Sequence, residues 1–136
     1  MIHPIDHTAD AGFEIIADNT EKLFYEAGMA MIDMLYEPAS ANVRETREIR
    51  ITAPALDILF HDFLTEILQI TQYEFFLVRN MTIRDISDRY VAAELDGEPF
   101  DGKRHEFRAE IKAVTYHQLA AEPRGDKWFG RVIFDL

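Results

Sequence analysis

Three short stretches of this 136-residue chain carry residue types able to do chemistry. The first is His7-Thr8-Ala9-Asp10, closed by Gly12. A compact polar loop ahead of a strand can aim a carboxylate and backbone carbonyls at one point. It can equally be a plain turn in which Asp10 and Thr8 bond their own backbone. The second runs from Glu110 to His117, where Lys112, Thr115 and His117 interrupt an apolar series. A lysine there can contact an anion. The competing reading is a strand with one solvated face and a core-facing Tyr116. The third is Phe134-Asp135-Leu136. An apolar run leads straight into Asp135, which predicts a terminus tied into a sheet and not frayed. Asp135 and the α-carboxylate of Leu136 then stand as adjacent hard oxygen donors, of the kind that suits Ca²⁺, Mg²⁺ or Mn²⁺. The alternative is an aspartate that only solubilises the chain end.

Many chemistries are excluded. There is no Walker A loop, G-x-G-x-x-G, H-E-x-x-H or G-x-S-x-G. Cysteine is absent, which rules out disulfides, zinc ribbons and thiol nucleophiles. Six glycines are too few for a generous phosphate-cradling loop.

Charge narrows the partners. The formal net charge is −11, and such a surface repels nucleic-acid backbones, whose affinity rests on Lys and Arg contacts. Residues 1–41 hold eight acids and one base, Lys22, for a net −7. An acidic face attracts cations or a basic groove on another protein; it also simply confers solubility. The opening MIHPIDHTAD has neither the basic nor the apolar region of a signal peptide. No stretch has the roughly 18 apolar residues of a membrane helix. A soluble, cytoplasmic protein is expected.

These residues need elements to position them. Residues 11–17 read as a strand, and Asp18-Asn19-Thr20 as helix caps. Leu23, Phe24, Ala27, Met31, Met34 and Leu35 recur at helical spacing over 20–36, and Pro38 stops that helix. Residues 42–52 read as a half-wet strand. Pro54 opens a second helix over about 55–72, with Leu56, Leu59, Phe60, Phe63, Leu64, Ile67 and Leu68 forming a core-facing stripe. Further strands are expected at 73–79, within 81–98 (with a turn at Asp96-Gly97), at 107–113, 115–122 and 128–134. Arg124-Gly125-Asp126 supplies the last hairpin turn. The expectation is a single α+β domain: two amphipathic helices on mostly antiparallel sheet.

Taken together, HTAD near the N-terminus, the helix behind it, E-I-K-A-V-T-Y-H and the closing W-F-G-R-V-I-F-D-L resemble the archease family over essentially the whole chain. The resemblance implies an α+β fold of nested strand–helix–strand–strand units. It implies an accessory protein of the RtcB-type, GTP- and Mn²⁺-dependent RNA ligase of tRNA splicing and RNA repair, which promotes guanylylation of that ligase and its multiple turnover. It implies a divalent metal held by Asp10, Asp135 and Leu136, with Lys112 functionally important. None of these four positions departs from the family pattern.

Three functions follow from the residues and the resemblance. The first is a ligase activator, without catalysis of its own, that docks a metal-bearing rim near the ligase active site. No membrane or direct nucleic-acid contact is expected, and nothing demands more than a monomer. The second is a small metal-dependent hydrolase with His7 or His117 as general base. The third is a general chaperone whose apolar stripes serve clients.

Overall fold

The computed structural model describes residues 1–6 and 10–136. Eight strands and two helices follow in order β1 (Ile2–Asp6), β2 (Asp10–Ala17), α1 (Thr20–Leu35), β3 (Glu45–Thr52), α2 (Leu56–Leu68), β4 (Phe76–Ile86), β5 (Tyr90–Pro99), β6 (Ala113–Val114), β7 (Ala120–Arg124) and β8 (Lys127–Asp135). Every strand pair is antiparallel. One sheet has the order β1-β2-β8, and the far edge of β8 is shared by β6 and β7; the other has the order β3-β5-β4.

Local chemistry explains the helices. Asn19 caps α1 by accepting from the Lys22 N–H at 2.8 Å, satisfying one of the orphan donors of the first turn. The chain leaves α1 through Tyr36, whose buried hydroxyl donates to the Val78 carbonyl and accepts from the Val78 N–H. Each helix touches strands of both sheets, α1 meeting β2, β8 and β4 while α2 meets β7, β6, β3 and β5. Phe24 of α1 packs its ring 5.2 Å from both Phe60 and Phe63 of α2. Burying each such ring stabilises the fold by roughly 2–3 kcal/mol.

The stripe expected of α2 is buried at Leu59, Phe60, Phe63, Leu64, Ile67 and Leu68. Past Leu68 the helix loosens into a π-helical turn, Gln69–Tyr73. The strand expected at 73–79 therefore starts three residues later, after Phe75, which takes a left-handed φ of 55°. That conformation costs an L-residue on the order of 1 kcal/mol.

Four other expectations are corrected. Asp96-Gly97 is not a turn but lies inside β5; the chain reverses at 87–89, where the Ser87 N–H donates to the Tyr90 carbonyl. Glycine is needed at 97 because a Cβ there would lie 1.8 Å from the Leu77 carbonyl oxygen, beside a bulge in β4. The strand expected over 107–113 shrinks to Ala113–Val114, and that over 115–122 starts only at Ala120. Residues 100–112 instead follow an irregular path fixed by a buried carboxylate. Glu98, fully enclosed, accepts from Arg104 Nη1 and Nη2, from His105 Nε2 and from the Asn42 N–H at 2.6 Å. His105 Nδ1 in turn accepts from the Asp101 N–H, which leaves Nε2 as the protonated nitrogen. Last, Tyr116 does not face the core: it is 62% exposed.

Candidate metal centre

Antiparallel pairing of β2 with β8 sets Asp10 directly opposite Asp135. Residues so paired project to the same face of a sheet, with Cβ atoms about 5 Å apart. Strand periodicity puts Gly12 and Ile133 next on that face, and Glu14 and Arg131 beyond them. The two carboxylate positions differ in kind. Glu14 has its cation, with Arg131 at 2.6 and 2.8 Å. Among the described residues, neither Asp10 nor Asp135 has a hydrogen-bond or ion-pair partner for its side chain. Two like charges placed opposite each other are unfavourable, and a cation between them removes that cost. Gly12 keeps the two strands close here, since a Cβ would meet the Val132 carbonyl oxygen at 2.1 Å.

The donor set suits a hard divalent ion: two carboxylates on one face, followed at once by the exposed Leu136. Among the described residues no group of three or more His, Asp or Glu side chains converges as a metal cluster, here or elsewhere; this site offers two carboxylates. His7, the histidine that the sequence offers near this site, lies outside the described residues.

Lys112 comes to the same place. Its N–H donates to the Asp135 carbonyl at 2.8 Å, and Ala113 pairs with Asp135. Asp10, Lys112, Asp135 and Leu136, drawn from three separate parts of the chain, thus meet at one sheet end. His117 does not join them. It is exposed, its N–H donates to Thr115 Oγ1, and it shares no hydrogen bond or ion pair with these four among the described residues.

One residue of this region escaped the sequence reading. His61, on α2 and 7% exposed, reaches the short strand β6 that follows Lys112. Its Nε2 lies 2.8 Å from the Val114 carbonyl, and its Nδ1 lies 2.9 Å from Asp62 Oδ1. Tyr116 stacks on the ring at 3.9 Å and 16°. The signal was available: a histidine directly beside Phe60, at the margin of an otherwise apolar stripe.

Two helices on antiparallel sheets, with two aspartates paired across strands at one sheet end, define a class of small α+β protein. The comparisons say which. Residues 3–136 match the Archease protein family, and the chain belongs to that family. The curated Protein archease of Methanopyrus kandleri is 33% identical, covering 97% of this chain and 96% of its own. That of Methanosarcina acetivorans is 32% identical over 97% and 93%. The solution structure of Methanobacterium thermoautotrophicum protein 1598 superposes with a TM-score of 0.81 at 28% identity, covering 99% of this chain and 98% of that one. The crystal structure of a Thermotoga maritima archease, described as a possible chaperone, shares the fold at a TM-score of 0.62 and 24% identity, over 100% and 98%. No helix among the described residues is long and apolar enough to cross a membrane.

Proposed function

We propose that this archease binds a divalent cation through Asp10, Asp135 and the Leu136 carboxylate, and uses that end of the molecule to activate a GTP-dependent, RtcB-type RNA ligase. The observation that carries the reading is the cross-strand pairing of Asp10 with Asp135, two carboxylates brought together without a cation among the described residues. A bound Ca²⁺, Mn²⁺ or Mg²⁺ would supply positive charge able to meet phosphate oxygens. The chain's own residues do the rest. Gly12 and the β2–β8 ladder fix the carboxylate spacing. Lys112, held by its backbone to Asp135, adds a second positive group at the same rim. The acidic N-terminal third favours encounter with a basic, RNA-binding enzyme surface.

The test is a multiple-turnover RNA-ligation assay with the cognate ligase. Wild-type protein is expected to accelerate turnover; Asp10→Ala, Asp135→Ala and a chain lacking Leu136 are expected to fail while keeping the far-UV and thermal signatures of the fold. Full activity of all three variants would sink the metal-rim mechanism. The description of the Thermotoga maritima relative as a possible chaperone favours one other reading. Suppression of aggregation of unrelated proteins, unaffected by Asp135→Ala, is the result that selects it.

A further inference from the structure

We propose that Gln72, on the π-helical turn after α2, is a positioning residue for Lys112, working together with His61 from the body of that helix. This role deepens the function proposed above and rests on it: Lys112 stands at the ligase-facing rim, and side chains of another element hold it there. The Lys112 side chain is exposed and has no hydrogen-bond or ion-pair partner among the described residues. The backbone on either side of it is nevertheless tied down.

Two of the ties come from β8. The Lys112 N–H donates to the Asp135 carbonyl, and the Thr115 N–H and Oγ1 both donate to the Ile133 carbonyl. The strand between them, β6, is only Ala113–Val114, too short to hold a segment by its ladder alone. The other two ties are side chains. The Gln72 carboxamide donates to the Ile111 carbonyl at 2.7 Å and accepts from the Ile111 N–H at 2.9 Å. That is the reciprocal exchange which a residue of a neighbouring strand makes in an antiparallel ladder. Among neutral side chains, only the amides of Asn and Gln offer an N–H donor and a carbonyl acceptor in one plane. On the far side of Lys112, His61 Nε2 lies 2.8 Å from the Val114 carbonyl.

The π-turn has a cause in the sequence and a consequence at Lys112. Thr71, fully buried, donates its hydroxyl to the Ile67 carbonyl at 2.9 Å and lies 3.2 Å from that of Leu68. It thereby answers acceptors that a widened turn takes away from the helix ladder. Side chains at such a turn point away from where a continued α-helix would send them, and π-turns concentrate at functional sites. Here the turn, Gln69–Tyr73, presents Gln72 to Ile111, the residue directly before Lys112. A long cation whose backbone is fixed from both sides is placed for a partner's anion at little cost in order.

The test is an NMR comparison of amide signals in the metal-free protein without ligase. Gln72→Met, close in size but lacking the amide, should displace the signals of 111–114 and leave those of β3, β4 and β5 in place. Gln72→Glu is the rescue. Its ionised carboxylate repels the Ile111 carbonyl, whereas its protonated carboxyl again offers one donor and one acceptor. Its difference from wild type at 111–114 should therefore be open at neutral pH and close as pH falls through the titration of the introduced carboxyl. The Gln72→Met difference should stay open throughout. In the ligation assay Gln72→Met should lower stimulated turnover on the order of tenfold. The proposal is overturned if the 111–114 signals stay in place in Gln72→Met, or if the Gln72→Glu difference does not close in acid. It is also overturned if Gln72→Met leaves turnover unchanged where Lys112→Ala lowers it. Displaced signals together with full stimulation by Lys112→Ala would overturn the ligase reading itself, so the two failures are told apart.

Discussion

Glu98 and the Asp10–Asp135 pair are opposite solutions to placing carboxylates in one fold. Glu98 is enclosed completely and answered completely, by Arg104, His105 and the Asn42 N–H. The Arg104 hydrogen bonds, then that of Asn42, hold its carboxyl down at about 2 against the opposing effect of burial. The aspartates sit opposite each other at a sheet end, and among the described residues neither side chain has an ion-pair partner. A satisfied charge fixes a loop; an unsatisfied pair invites a ligand.

Several changes break or sharpen this contrast. The largest expected effect is Glu98→Ala, which strips the buried partner from Arg104 and His105 and should cost about 3 kcal/mol in denaturant unfolding. Acid should reproduce it in wild type. A carboxyl depressed from 4.5 to about 2 contributes stability that is full above pH 4.5 and is lost as pH falls through about 2, because the unfolded chain takes up the proton first. Asp18, Glu37, Glu94 and Asp101 are also held below their usual values by their hydrogen bonds, so an acid titration of Tm whose slope over that window shrinks in Glu98→Gln confirms the assignment, and an unchanged slope refutes it.

Next comes metal. If Asp10 and Asp135 form a cation site, Ca²⁺ or Mn²⁺ at a hundred times its dissociation constant should stabilise wild type by about 2.7 kcal/mol. Asp135→Asn should show no shift, and Glu98→Gln should keep it. His61→Ala follows, losing a buried hydrogen bond and the Tyr116 stack for about 1–2 kcal/mol. It should also weaken the metal response, because β6 pairs with Asp135. An unaltered metal response would make His61 purely structural. The smallest effect is that of Asp135→Asn without metal, a gain of about 0.5 kcal/mol from removing like-charge repulsion, read as a small rise in urea midpoint. A loss there would mean that the pair is not repulsive.

Sequence patterning reached the helices because their apolar residues recur at 3/4 spacing and their starts carry Asn19 and Pro54. The β2 and β8 positions were equally legible. Three things were not. β1, Ile2–Asp6, contains Pro4, which argues against a strand, yet an edge strand tolerates a proline that a central one would not. Gly97 mimics a turn because close backbone approach and chain reversal demand the same residue. Residues 100–112 look like a strand but are directed by Glu98, a contact between side chains that no local pattern encodes. For the candidate site, residue types drew attention to Asp10, Lys112 and Asp135–Leu136, and the resemblance grouped them; only register could show that Asp10 faces Asp135. His61 was missed because its partner, a backbone carbonyl, is invisible in sequence.

The eighth strand lies between β2 on one side and β6 with β7 on the other. Translation delivers it after all of its neighbours. Until Lys127–Asp135 leaves the ribosome, β2 and β7 present open ladders, and the core lacks Val132 and Phe134. Folding of this sheet therefore waits for its eighth strand, and a chain stalled before Lys127 is an aggregation hazard that quality control must clear.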